Sequence, residues 1–368
     1  MKYKNLKINP MLEKKRIIKT FLDLIKIDSP SGHEKEVGDF VLKYCKKIGL
    51  KANEDHYGNI IAKAEGDGVP ILLSAHIDTV EPGRNIKAEI KNGVIKSVGD
   101  TILGADDKAG VTAILEAVKY LKENKIKHQA LEIVFTREEE LGVVGALNLN
   151  FKELKSKNGL VIDSSRPLGF ITLASPFATI FEIKIKGKQA HAGSFPEKGV
   201  NAIQAAAKAI SRLKVGRINK NTTNNFGKIR GGNATNIVPD EVFIAGEVRS
   251  LNLENVKKQM EIIKKFFKEE CAKTGAKLFF NHKLVCDGYR FKKNDPFVKK
   301  IAACNKITKI KTVYGSSCGA SDANIFISNK INAIDISYGG ENPHSVQEKI
   351  KVSELVKLTE FVVNFIKK

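Results

Sequence analysis

Five short stretches of the chain place histidine or carboxylate side chains where an apolar run gives out. The first is Ser74-Ala75-His76-Ile77-Asp78-Thr79-Val80, directly after Ile71-Leu72-Leu73. In an extended chain, residues two apart share a face, so His76 and Asp78 can present an imidazole and a carboxylate together. An imidazole so placed is either a metal ligand with an orienting partner or a hydrogen-bonded histidine at a strand end. The other stretches are Gly104-Ala105-Asp106-Asp107-Lys108-Ala109-Gly110, Thr136-Arg137-Glu138-Glu139-Glu140-Leu141-Gly142, Asp163-Ser164-Ser165 and Tyr338-Gly339-Gly340-Glu341-Asn342-Pro343-His344. Singly, the aspartates could cap a helix, the glutamates could form a solvated turn and His344 could be an ordinary loop residue. Together, two histidines, several carboxylate ligands and spare carboxylates are the donor set that a pair of zinc ions requires. Three consecutive glutamates leave their register open, because neighbouring side chains point in different directions.

The elements that must position these groups are legible from periodicity. Ile17, Ile18, Phe21, Leu22 and Ile25 have helical spacing over residues 11–26. A second amphipathic helix through Val37, Phe40, Val41, Tyr44 and Ile48 ends at Gly49, and Ser31 with Glu34 before it has capping-box spacing. Strands are predicted over 59–64 and 71–76, followed by a turn-rich segment about Pro82-Gly83 and Asn92-Gly93. A helix over 107–121 and apolar strands over 131–136 and 159–162 come next. Helices alternating with such strands predict an α/β fold with a mainly parallel, helix-covered sheet. Ligands of such sheets gather beyond the carboxyl ends of the strands. Near Thr179 the texture changes: Phe181-Glu182-Ile183-Lys184-Ile185-Lys186 alternates apolar and polar, as in a sheet with one wet face. Helices over 202–213 and 253–273 and strands over 241–248 and 277–282 complete an inserted, smaller two-layer α/β domain. The expected division is 1–177 with 288–368 for the larger domain and 178–287 for the insert.

Composition narrows the function classes. The chain has 368 residues, 42% hydrophobic and 28% charged, which suits a globular protein of one large and one smaller domain. It contains no run near the ~18 apolar residues of a membrane helix. Its lysine-rich start is not followed by an apolar signal core, so a cytoplasmic location is expected. The five cysteines, Cys45, Cys271, Cys286, Cys304 and Cys318, are scattered without a Cys-x-x-Cys pair, which argues against a disulfide framework. A net charge of +21 permits nonspecific attraction to acidic surfaces. The lysines are spread along the whole chain and no nucleic-acid-binding motif is present, so no specific nucleic-acid partner is expected.

In order and local wording, His-x-Asp, Gly-Ala-Asp-Asp-Lys-Ala-Gly, Glu-Glu-Glu-Leu-Gly, a strand-end Asp163 and a late His344 resemble the dizinc metallopeptidase family of peptidase T, carboxypeptidase G and the aminoacylases. The resemblance is nearest to the peptidase T branch and covers nearly the whole chain, the insert included. It implies that Asp106 bridges two metals, that His76 and Asp163 complete one site, and that Glu140 and His344 complete the other. Asp78 would orient the His76 ring. Leu141-Gly142, matched to the hydrophobe and glycine that follow the family's Glu pair, makes Glu139 the general base and Glu140 the ligand. Glu138 then stands where the family usually has Asp. Asp107 would be no ligand but part of a cis Asp106-Asp107 peptide. The implied cofactors are two Zn²⁺, with Co²⁺ or Mn²⁺ as substitutes. The implied mechanism is attack on an amide carbonyl by a metal-bridging hydroxide, with Glu139 passing the proton to the leaving amine.

The resemblance also implies substrate contacts in the insert. Lys188-Gln189-Ala190-His191-Ala192-Gly193 resembles the element whose histidine stabilises the tetrahedral oxyanion, often from the other subunit of a dimer. Gly231-Gly232-Asn233-Ala234-Thr235-Asn236-Ile237-Val238-Pro239 resembles the family's substrate-contacting stretch, with Asn236 preferred over Asn233. Arg249 falls where an arginine can bind a substrate carboxylate. Ser316-Ser317-Cys318-Gly319-Ala320-Ser321-Asp322-Ala323-Asn324 resembles a glycine-rich segment near the site, with Cys318 interrupting the glycines. The expected activity is a tripeptide aminopeptidase acting on short peptides, with a carboxypeptidase, an N-acyl amino acid deacylase or a non-catalytic binding homologue as alternatives. A homodimer through the insert is expected.

Overall fold

Strands Gln129–Thr136, Asp67–His76, Asn158–Ser164 and Asn332–Ser337 lie side by side in that order, every adjacent pair parallel. They are the centre of a larger sheet in the computed structural model, which describes residues 10–368, with side chains from Lys14 onward. On one flank Ile60–Ala64 and then Lys51–Glu54 are added antiparallel, and on the other Phe170–Ser175 is antiparallel to Asn332–Ser337. The sheet is therefore parallel only in its middle. A five-residue loop joins Lys51–Glu54 to Ile60–Ala64, and so short a connection can only return the chain antiparallel.

Helix Ala105–Glu123 packs on this sheet and is itself covered by helices Pro10–Ile25 and Val352–Ile366. Apart from Lys119, Tyr120, Lys122 and Glu123, all of its residues are buried, so it reads as apolar on nearly every side. Phe21, Leu24, Leu115, Val118, Leu355 and Phe361 share its core, and each such side chain contributes about 1.5–3 kcal/mol by leaving water. In its middle Glu116 is enclosed and accepts hydrogen bonds from Arg16, Thr20 and Tyr44, which meets the demand of a buried carboxylate. The helix starts two residues before the predicted 107–121, and Asp106 and Asp107 interrupt its helical geometry.

The segment expected to be turn-rich also contributes strands to a further sheet. Ala88–Lys91 and Val94–Ser97 are a hairpin, joined by Asn92-Gly93 with positive φ at both residues, as a tight two-residue turn requires. Lys349–Lys351 and then Gly340–Glu341 extend it, so this small antiparallel sheet frames the loop that carries His344.

The smaller unit comprises Ala174–Arg290 with Ser316–Ala320, and the larger one the rest. The main segment starts four residues before and ends three residues after the expected 178–287, and Ser316–Ala320, expected in the larger domain, groups with it. Five antiparallel strands run in the order Gly216–Asn219, Thr222–Gly231, Glu241–Ser250, Phe177–Lys186, Lys277–Cys286. Helices Ala202–Ser211 and Leu253–Thr274 cover one face, burying Phe181, Ile183, Ile185, Ile244, Ala205 and Phe267. The hairpin at 216–231 is not among the expected strands, because its run of Asn, Thr, Lys and Gly carries little apolar alternation. Among the described residues, no helix is long and apolar enough to cross a membrane.

Candidate metal centre

His76 is the last residue of its strand, and the neighbouring strand ends at Asp163-Ser164. The parallel register pairs Ser74 with Val161; carried two residues further, it sets His76 opposite Asp163. Asp106 enters from the irregular start of its helix, where Gly104 has φ 73° and the Asp106-Asp107 peptide is cis. Gly110 lets that start lie against the Asp163 strand, since a Cβ there would come within 2.8 Å of the Ile162 carbonyl. His344 adopts φ 59°, a conformation rare for a residue with a side chain.

These elements bring the two imidazoles to opposite sides of one carboxylate. His76 Nε2 lies 3.3 Å from Asp106 Oδ1 and 3.6 Å from Asp163 Oδ1. His344 Nε2 lies 3.5 Å from Asp106 Oδ2 and 2.8 Å from Glu140 Oε1. Donor atoms of His76, Asp106 and Glu140 fall within 4.8 Å of one another, as do those of His76, Glu139 and Asp163. Proximity alone thus groups Glu140 with His76. The shorter approach of His344 to Glu140, and the separate contact of each Asp106 oxygen with one histidine, favour two sites that share Asp106.

The electrostatics describe a cluster that calls for cations. Burial pushes the carboxyls of Glu139, Asp163 and Glu140 up, and neighbouring carboxylates add to the rise. Burial also works against ionised Asp106, but hydrogen bonds to His344 and His76 outweigh it and hold its pKa below the usual value. Hydrogen bonds to Asp106 and Glu140 push His344 up to about 10. Carboxylate oxygens and imidazole nitrogens that converge this closely, three of the carboxyls being disfavoured as anions by burial and by one another, fit a pair of divalent cations.

Asp78 does more than the expected orienting of His76. Its Oδ1 lies 3.2 Å from His76 Nδ1 and accepts the Glu139 backbone N–H at 3.0 Å. Its Oδ2 accepts the Glu140 N–H at 3.2 Å and the Ser31 hydroxyl at 2.7 Å. One carboxylate therefore sets both the histidine ring and the turn that carries the glutamates. The turn is braced from behind by Glu34, which accepts the Glu138 N–H at 3.2 Å and pairs with Arg137 at 2.7 Å. Glu138, at φ 50°, faces away from the ligands and accepts from Tyr57.

Several carboxyls not singled out from the sequence surround the cluster. Asp322 accepts the Thr136 hydroxyl at 2.5 Å, and burial raises its pKa to about 7. Asp335, in the strand beside that of Asp163, accepts the Thr172 hydroxyl at 3.1 Å. Glu348 accepts three backbone N–H groups of the Asp106 loop. An aspartate inside an apolar strand is the available signal for Asp335; a lone Glu348 offers none. Lys108 is a buried cation here, donating to Ser29 Oγ at 2.8 Å, with burial lowering its pKa to about 8.

In the smaller unit, His191 is exposed and its Nδ1 accepts N–H groups from Gly193 and Ser194 at 3.2 and 3.0 Å. Its Nε2 therefore carries the proton of the neutral ring and is free to donate. Ala192 N–H donates to the Asn236 carbonyl at 2.9 Å and Val238 N–H to that of Ala190 at 2.9 Å, zipping the His191 and Asn236 loops together. Arg249 is turned instead onto Glu247, two 2.9 Å hydrogen bonds occupying one edge of its guanidinium.

Comparison with known proteins agrees over most of the chain. A profile described as "Peptidase dimerisation domain", from the M20 peptidases, matches residues 178–275, and one described as "Peptidase family M28" matches residues 59–164. An uncharacterized protein of Bacillus subtilis, YqjE, is 38% identical, the match covering 97% of this chain and 99% of that protein. The crystal structure of the aminopeptidase PepT from Bacillus cereus is 37% identical with a TM-score of 0.86, covering 96% of this chain and 98% of that one. A tripeptidase structure from Staphylococcus aureus is 35% identical with a TM-score of 0.89, over the same shares. The M28 likeness spans His76 to Asp163 but not His344 or the inserted domain, whereas the full-length likenesses include both. The chain belongs to the M20 family of dinuclear metallopeptidases, in its peptidase T-like branch.

Proposed function

We propose that this metallopeptidase is a zinc-dependent aminopeptidase that releases the first residue of tripeptides. The observation that carries the dinuclear reading is Asp106, whose two oxygens each approach a different histidine. His76, Asp106 and Asp163 would hold one cation, and Asp106, Glu140 and His344 the other. Bound there, two zinc ions would supply an acidified water and a polarised amide carbonyl. Glu139, whose carboxyl lies within 4.8 Å of His76 and Asp163 donor atoms, takes the proton of the attacking water and returns it to the departing amine. Without that return the amine would be a poor leaving group. Asp78 holds the Glu139 backbone so that the carboxyl stays in reach. The exposed Nε2–H of His191 is a donor for the charge that develops on the substrate oxygen, and Asn236 on the adjoining loop is a second polar contact.

The tripeptide preference rests on the likeness to the PepT and tripeptidase structures. Arg249 is the candidate partner for the free carboxylate of such a substrate, with one edge of its guanidinium shared with Glu247. The dimerisation-domain match supports a homodimer formed through the insert, whose uncovered sheet face exposes Ile180 and Phe279. Five free thiols support a reducing, cytoplasmic setting. The deciding experiment is a panel of tripeptides, N-blocked tripeptides and acyl amino acids assayed with zinc or cobalt. Hydrolysis of free tripeptides alone is expected; activity only on N-blocked substrates overturns the aminopeptidase assignment.

A further inference from the structure

We infer that Glu348 is a positioning residue for the metal centre, tying the backbone that carries Asp106 to the loop that carries His344. Its side chain is 1% exposed. Oε2 accepts the N–H groups of Leu103 and Gly104 at 2.8 and 2.7 Å, and Oε1 accepts the N–H of Asp106 itself at 3.0 Å. These partners are 242 to 245 residues away in sequence. At its other end Glu348 belongs to the His344 loop. Its own N–H donates to the Ser345 carbonyl at 3.0 Å, and the Ser345 hydroxyl donates to the Asn342 carbonyl at 2.8 Å. The loop is closed by the pairing of Glu341 with Lys349. His344 thus sits inside a loop whose return arm is fastened by one carboxylate to the residue that His344 must face across a shared cation.

The alternative is that Glu348 merely satisfies three buried N–H groups. A structural carboxylate could do so from any nearby element, and its loss would show as lower stability with unchanged affinity for metal. A carboxylate bridging the two ligand-bearing loops has a further effect: without it the distance between Asp106 and His344 is free to vary, and binding must then restore their alignment. Groups that orient ligands in this indirect way typically change metal affinity 10- to 100-fold when removed. Glu348 does not touch substrate or metal in this arrangement, so the chemistry at saturating metal is left intact.

This inference rests on the dinuclear reading of the site, and the test separates the two. The metal-free full-length protein, as wild type, Glu348→Gln and Glu348→Ala, is titrated with zinc against a chromogenic chelator, and thermal melting of each metal-free form is recorded. Wild type is expected to take up about two zinc ions per chain; uptake of none overturns the site reading itself. Glu348→Ala is expected to lose 10- to 100-fold in apparent zinc affinity. Glu348→Gln should lie between, because its amide oxygen can still accept from Leu103 and Gly104 while its NH₂ opposes the Asp106 N–H. At saturating zinc both variants should approach the wild-type kcat. Should Glu348→Ala not fold, the zinc affinity of Glu348→Gln decides the matter. A Glu348→Gln protein that melts below wild type but binds zinc equally well overturns the inference while leaving the metal centre standing.

Discussion

The two units of the chain treat ionisable groups in opposite ways. In the larger unit, carboxyls crowd at the ends of parallel strands, where burial and mutual repulsion shift their titration. In the insert, the notable groups stand singly near solvent: His191 is held by two backbone N–H groups, and Arg249 is paired with Glu247 on the same strand. A buried cluster is costly unless a cation completes it, so it commits the protein to one chemistry. An exposed donor costs little and can be tuned without disturbing the fold. The chemistry is accordingly built into the unit with the deeper core, and the adjustable contacts into the other.

This contrast can be tested in descending order of effect. Removing metal with a chelator should abolish turnover, while far-ultraviolet circular dichroism stays unchanged because the core of Phe21, Leu115 and Phe361 is apolar and independent of the site. Collapse of the fold on chelation would erase the distinction. Glu139→Gln should keep both metals in elemental analysis and lose about 10²–10⁴-fold in kcat. His191→Ala should lose about 10²–10³-fold in kcat with no change in metal content or melting temperature, as befits an exposed donor. Asp78→Ala should weaken zinc affinity and rate about 10- to 100-fold, because the His76 ring and the two glutamate N–H groups lose their common anchor. Glu247→Gln should do least: a surface pair contributes ~0–1 kcal/mol, so melting barely moves. Any gain should appear as a lower KM for substrates ending in a free carboxylate.

What could be read from the sequence was whatever is encoded locally. His76, Asp106, Glu139, Glu140, Asp163 and His344 stand in short stretches next to strand or helix signals, and they lie together in the structure. The alternation of helices and apolar strands also led to the central sheet. Its antiparallel flanks and the small sheet around the His344 loop were less legible, because strand direction depends on pairing between distant residues. Asp322 and Glu348 escaped for the same reason: each is an ordinary acidic residue until the fold sets it against Thr136 or the Asp106 loop. The glutamate register came from matching Leu141-Gly142 to a family pattern. The backbone distinguishes the three glutamates in its own way: Asp78 accepts the N–H groups of Glu139 and Glu140, while that of Glu138 goes to Glu34.

The parallel register of the His76 and Asp163 strands has a consequence for how this centre can change. Because side chains alternate along a strand, inserting or deleting one residue within Asp67–His76 would turn His76 to the opposite face of the sheet. Strand register therefore serves as the ruler of the site. The two central strands can alter only by substitution if His76 and Asp163 are to stay opposite each other.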